Sequence, residues 1–460
     1  MFTLITVVSL VSFASFYSLL YFRGKWILET ILSLTLPWIN SGVLRAAPNV
    51  NLGWFVEKLL GQAMGLLYGP DWKRLRKIFD PAFTHAAAVT RIDGVVSAAR
   101  QYVEELPQMA LGGPRQASHD QASYSIPVQK AFTKFSYFLT AKTIYGPMTR
   151  EEETELWQVT EKRVMLNQYW VGGGIYRFET TARLHDKLAV QRLEEFIHEW
   201  HDYNVRIVDV RRRRGESPPI ITYWEELEAG NISSTELLQT LDELLMLNLD
   251  VITHVTTWFI TLMATHEQAT NELREEIATY KDDLNQYLAS TSTHLHRSFL
   301  ESMRIRPFAI FTIGESSSSV KNFHGVLVKP NTQVLVDVLA INVRNPFWGP
   351  NSEAFDPGRL KNIKPSDVRK ISASFSYNKG ANFMPQLRYN LHSFGIGSRK
   401  CMGQFVAGHI VKSLVVHLFD RYDVQSIDEN KANASASAGM GSWTPKSDAV
   451  LRLTRRDGVL

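Results

Sequence analysis

The stretch FGIGSRKCMG, residues 394–403, carries Cys401, the only cysteine among 460 residues. Glycines at 395, 397 and 403 permit tight turns and close approach of backbone to a flat ligand. Arg399 and Lys400 precede the thiol, and the residues after Gly403, QFVAGHIVKSLVVHLF, read as a helix. Cys401 therefore falls near the positive end of a helix dipole, where backbone N–H groups and a guanidinium favour thiolate over thiol. A thiolate held in this way is a candidate axial ligand to haem iron, where it pushes electron density onto the metal and favours O–O cleavage. The alternative is a small buried hydrophobe, the commonest use of a lone cysteine.

Such a loop needs elements to position it, and the chain supplies mostly helices. SSTELLQTLDELLMLNLDVITHVTTWFITLMATHEQATNELREEI (233–277) is the strongest helical pattern, with Ser233 or Ser234 as N-cap and Glu236 placed for a capping box. Its apolar character from Leu244 to Met263 predicts a buried central helix, and Asn248, Asp250, Thr253 and His254 argue against a membrane span. A long amphipathic pattern at 181–214 ends in four arginines, read as a solvated helix end. VKNFHGVLVKPNTQVLVDV (320–338) alternates around turn residues and predicts a few short strands.

Composition sets the wider limits. At 45% hydrophobic and 21% charged residues the chain is an ordinary globular protein, and a net charge of +4 does not point to nucleic acid as a partner. One cysteine excludes an intrachain disulfide and a cysteine-rich zinc site. Residues 1–22, MFTLITVVSLVSFASFYSLLYF, are uncharged and are followed by Arg23 and Lys25. This predicts a single transmembrane anchor with the body on the cytosolic side; the rival, a cleaved signal peptide, normally has a basic start and a shorter apolar run.

The motifs together make the chain similar to the cytochrome P450 family. The haem-loop pattern F-x-x-G-x-R-x-C-x-G is matched by Phe394, Gly397, Arg399, Cys401 and Gly403. ESMR (301–304) fits E-x-x-R, FDPGRL (355–360) fits the segment whose arginine joins that pair, and DWKRLR (71–76) fits W-x-x-x-R at Trp72 and Arg76. The resemblance covers roughly 55–460. It implies a mainly α fold with a small β part, the haem lying between a long central helix and the cysteine loop. It also implies haem b with Cys401 as axial iron ligand, and Trp72, Arg76 and Arg399 at the haem propionates. Glu301, Arg304 and Arg359 would form a structural charge network. An NADPH-cytochrome P450 reductase would supply electrons at the endoplasmic reticulum membrane. The domain plan is then an anchor at 1–22, a shortened membrane-proximal segment at 23–54 and a haem domain at 55–460.

Two departures from the family stand out. The central-helix motif A/G-G-x-D/E-T aligns with Leu247, Asn248, Leu249, Asp250 and Val251, so the glycine and the threonine are replaced while the acid is kept. Asp250, and Thr253 in place of the usual alcohol, are the candidate proton-delivery residues; a plain contact between Asp250 and His254 is the alternative. Trp72 also follows the apolar start sooner than the family's small sheet would allow. The family's pocket would fall on Leu247, Phe308, Ile310 and Phe311, with Ala309, Thr312, Leu244 and Leu249, and so would be apolar. GLLYGPDWKRLRKIFDPAFTH and the HVTTW run are similar to fungal P450s of secondary metabolism, with a looser likeness to those of diketopiperazine and indole-alkaloid pathways. The expected activity is insertion of one oxygen atom from O2 into an apolar small molecule. Oxidative coupling or ring closure without net oxygen insertion, and a non-catalytic membrane-anchored remnant, are the alternatives.

Overall fold

The computed structural model describes residues 53–111, 123–314, 319–323, 325–330, 332, 334–361, 390–395, 397–428, 446–458 and 460. The anchor expected at 1–22 and residues 23–52 of the membrane-proximal segment lie outside the described residues. The principal helices are α1 (Trp54–Leu60), α2 (Gly69–Phe79), α3 (Ile92–Glu105), α4 (Val128–Tyr145), α5 (Arg150–Met165), α6 (Lys187–Arg213), α7 (Ser234–Asp242), α8 (Asn248–Ala264), α9 (Glu267–Tyr280), α10 (His294–Ile305) and α11 (Gln404–Arg421).

Strands are few. β1 (Ser123–Pro127), β7 (Val450–Arg455) and β6 (Tyr422–Ser426) form an antiparallel sheet in the order β1-β7-β6, with Ser123 opposite Thr454 and Tyr422 opposite Arg455. β2 (Phe311–Gly314) pairs antiparallel with β5 (Val334–Asp337), and β3 (Lys321–Phe323) with β4 (Val326–Val328). The sequence pattern placed β3, β4 and β5. It missed β1, β2, β6 and β7; the β1–β7 pairing joins residues more than three hundred positions apart. Such partners leave no local periodicity to read.

The central helix is buried as expected. Ser233 is the N-cap, with the reciprocal Glu236 capping box in place. α8 packs along α4 and α10, and Trp258, Phe259 and Ile260 are shut off from solvent. Ser234–Ala264 is long and apolar enough to cross a membrane, but 82% of its apolar 18-residue window is buried inside the protein, so it reads as a core helix. The pattern is not one continuous helix. A π-helical turn at Glu243–Leu247 separates α7 from α8, and α9 begins only at Glu267. Upstream of the turn, α7 is pinned to α5 by a buried ion pair, Arg163 Nε to Asp242 Oδ2 at 2.7 Å.

The arginine run at the end of α6 corrects the sequence reading in one position. Arg211 is fully buried, donating to the carbonyls of Tyr145 and Pro147 and to both oxygens of Glu152. Its neighbour Arg212 pairs at the surface with Glu228. Helical periodicity turns one arginine in four inward, and Glu152 on α5 meets it there.

Candidate haem-thiolate site

The cysteine loop is built by its backbone. Gly395 and Gly397 have φ of 73° and 79°, values a side chain would strain. They let the chain fold back so that Cys401 N–H donates to the Phe394 carbonyl at 2.8 Å. Gly403 then caps α11, and its N–H and that of Gln404 favour the ionised sulfur. Burial works the other way and is the larger effect, so the Cys401 thiol is pushed up from its ordinary pKa, with Arg76 and Lys400 opposing. A bound cation at the sulfur would reverse that balance.

Cys401 opens into a cavity of about 340 Å³ between the loop, α8 and the segment after α10. Leu244, Val251, Ile252 and Val255 line one wall; Phe299, Met303, Phe308 and Ala309 line another; Phe394, Gly403 and Val406 surround the thiol. Arg399 stands at the margin. It donates to the carbonyls of Leu67 and Gly65 at 2.7 and 2.8 Å and lies over the rings of Trp72 and Tyr68, 5.0 and 4.7 Å from their centroids. Arg76 donates to the Lys400 carbonyl at 3.0 Å and pairs with Asp80. Trp72, Arg76, Arg399 and Cys401, spread over 330 positions of sequence, thus meet around one loop.

Gly65 ties this loop to the central helix. Its carbonyl takes Arg399 and its N–H donates to Glu243 Oε2 at 2.8 Å. A Cβ at this position would sit 1.7 Å from Glu243 Oε1. Burial pushes the Glu243 carboxyl up to about 7, despite the Gly65 N–H and the arginines nearby. The sequence carried no signal for Glu243.

Beneath the cavity, Glu301 and Arg304 form a fully buried bidentate pair, both bonds 2.7 Å. Arg304 also donates to the Asn342 carbonyl at 2.9 Å, while Glu301 accepts from Asp356 N–H. Arg359 reaches Glu301 at 3.4 Å and donates to the carbonyls of Trp348 and Asn351. The three residues lie together, tying α10 to the 342–359 segment.

Several expected site residues are placed elsewhere. Asp250 does not line the cavity; its Oδ1 takes the ammonium of Lys446 at 2.5 Å. Thr253 is fully buried and its hydroxyl donates to the Leu249 carbonyl, within its own helix. His254 Nε2 is 2.9 Å from the Arg306 carbonyl oxygen. Ile310 and Phe311 are 45% and 46% exposed, because the chain enters β2 there and turns them outward. Phe308 lines the cavity, as do Ala309 and Thr312. The side chain of Leu247 lies outside the described residues. Asn248, Val251, His392 and Ser393 line the cavity instead. For His392 and Ser393 no spacing rule gave notice.

A cysteine thiol opening into an apolar slot, arginine donors at its margin and an elongated helix across from it define a haem-thiolate protein. A thiol and two guanidinium groups beside one apolar cavity are donor types that fit haem. The chain belongs to the cytochrome P450 family, whose model matches residues 47–452. It is 33% identical to the cytochrome P450 monooxygenase hasH of Aspergillus fumigatus, over 89% of this chain and 73% of that protein. To sirC of Leptosphaeria maculans, a further cytochrome P450 monooxygenase, it is 30% identical over 91% of this chain and 76% of that one. Among solved structures it is similar to a cytochrome P450 (TM-score 0.66, 17% identity, covering 89% of this chain and 88% of that one). A zebra fish cytochrome P450 solved with progesterone gives a TM-score of 0.63 at 17% identity, with 90% of each chain covered. The mainly helical P450 fold with a small β part is therefore the fold of this chain, and its enzyme class is that of the P450 monooxygenases.

Proposed function

We propose that this protein is a haem-thiolate monooxygenase that inserts one oxygen atom from O2 into an apolar small molecule of fungal secondary metabolism, a diketopiperazine or an indole alkaloid. The observation that carries the reading is the Cys401 thiol opening into the apolar cavity across from α8. Cys401 would ligate the iron and Arg399, Arg76 and Trp72 would hold the propionates, where planar guanidinium donors suit carboxylates. Bound haem would supply the oxygen-activating chemistry. The chain's own contribution is to keep water and charge away from the reacting face and to orient the substrate there. Electrons would come from NADPH through a reductase, with the protein anchored in the endoplasmic reticulum membrane by residues 1–22 and its body cytosolic.

A second reading has a specific observation behind it. Asp250 and Thr253 are both engaged away from the cavity, and Val251 offers no proton. Oxidative coupling or ring closure, in which no oxygen stays in the product, suits a wall of this kind. The reduced, carbon monoxide-bound difference spectrum tests the shared core: a red-shifted thiolate Soret band is expected in the wild type and absent in Cys401→Ser. An unchanged band in the variant would refute Cys401 ligation. Product mass after incubation in 18O2 then separates oxygen insertion from coupling.

A further inference from the structure

Asn248 stands at the junction of the π turn and α8, on the cavity wall. A π turn disturbs the regular ladder of a helix and leaves carbonyls without their usual donors. Asn248 repairs this with its own side chain. Its Nδ2 donates to the carbonyls of Glu243 and Leu244, each at 3.1 Å. Both amide hydrogens are thereby spent. The flipped amide would set Oδ1 against two carbonyl oxygens, so repulsion fixes its orientation. What remains is Oδ1, an acceptor to which nothing among the described residues donates.

The neighbours on this wall, Leu244, Val251, Ile252 and Val255, are all apolar. Thr140 also lines the cavity, but its hydroxyl donates to the Ser136 carbonyl. An isolated acceptor in an apolar wall is costly to desolvate unless the occupant brings a donor. We propose that Asn248 Oδ1 is a specificity determinant that accepts a hydrogen bond from an N–H or O–H group on an otherwise apolar substrate, fixing which face of the molecule is turned toward the Cys401 side. This deepens the substrate reading above and rests on it: a lactam N–H of a diketopiperazine or the ring N–H of an indole is a donor of this kind.

The test uses ferric holoenzyme and two probe pairs, each followed by the shift of the Soret band. One pair is indole and 1-methylindole; the other is cyclo(L-Phe-L-Phe) and its N,N′-dimethyl derivative. The wild type is expected to bind the N–H member about three- to tenfold more tightly, the range of one net neutral hydrogen bond. In Asn248→Leu, which keeps the branch at Cγ but carries no polar atom, that preference should vanish. Comparing members of a pair within one variant cancels any general loosening of the π turn. Asn248→Ala gives the same ratio should the leucine variant fail to hold haem. Equal affinities within the responding pairs of the wild type, a preference that survives in both variants, or no response to either N–H probe overturns the proposal. Discrimination by the indole pair with no response to the cyclic dipeptide pair would refute the diketopiperazine reading and leave the acceptor role standing. Equal binding within both pairs would do the reverse.

Discussion

The Lys446 ammonium lies 2.5 Å from the Asp250 carboxylate, joining the central helix to the segment that leads into β7. The two side chains are 13% and 10% exposed. The next residue repeats the tie: Ser447 Oγ is 2.8 Å from Thr261 Oγ1, farther along α8. The acid kept from the family motif therefore holds the sheet against the central helix.

This predicts how its variants behave. Lys446→Met should take the ammonium from the largely buried Asp250 carboxylate and lower stability by about 3 kcal/mol, the low end for a broken buried pair. Adding Asp250→Asn should recover part of that loss. Urea unfolding of the two variants and the double variant measures it. Product formed per NADPH consumed gives the second readout. If Asp250 serves as a tie, Asp250→Asn should keep wild-type coupling per haem; a drop of about 10²-fold or more in turnover, with NADPH still consumed, would restore a proton-delivery role.

The Glu301 network predicts the largest loss. Glu301→Gln keeps an acceptor for the fully buried Arg304 but removes the negative charge that compensates it, and should cost about 3–5 kcal/mol. Arg359→Lys should cost less, because Arg359 is partly exposed, the positive charge is kept and lysine can still donate to one of the Trp348 and Asn351 carbonyls. Thermal unfolding and haem retained after purification rank the two.

The Glu243 carboxyl predicts a pH effect of definite sign. Its pKa is raised from 4.5 to about 7 by burial, so the folded state binds the proton that the unfolded state has released over that window. Stability should therefore fall as pH rises from about 4.5 to about 7 and level off above, by about 3 kcal/mol. Glu243→Gln, which can still accept from Gly65 N–H, should match the wild type near pH 5 and exceed it at pH 8. Urea unfolding at the two pH values checks this; a variant no more stable at pH 8 than the wild type would refute it.

Arg399→Lys should weaken haem retention. Lysine cannot donate to the Leu67 and Gly65 carbonyls together while lying flat on Trp72 and Tyr68. The expected outcome is faster transfer of haem to apomyoglobin, with secondary structure by circular dichroism unchanged.

The parts legible beforehand were those whose meaning is local. Spacing within FGIGSRKCMG sets a thiol beside glycines, cations and a helix start, and all of these act over a few residues. The capping box at Ser233 and Glu236 is likewise a contact three positions apart. E-x-x-R was legible for the same reason, since residues 301 and 304 share a helix face. Helical periodicity read the burial of the central helix correctly and could not show its π turn, because the turn adds one residue without changing which side chains are apolar.

The sequence by itself determined the chemistry on offer: one thiol in a basic, glycine-rich loop, the E-x-x-R carboxylate–guanidinium pair and a mainly helical chain around them. Tertiary structure alone decided which groups face the cavity. Asp250 and Asn248 are two residues apart in one helix, yet Lys446 engages the first and the cavity receives the second. Lys446 is 196 positions from its partner, and Arg399 is more than 330 from the carbonyls that seat it. Such contacts depend on how whole helices and strands pack, and residues two apart on a helix point about 200° apart around its axis. Only the packed fold can say which of the two directions leads to the site.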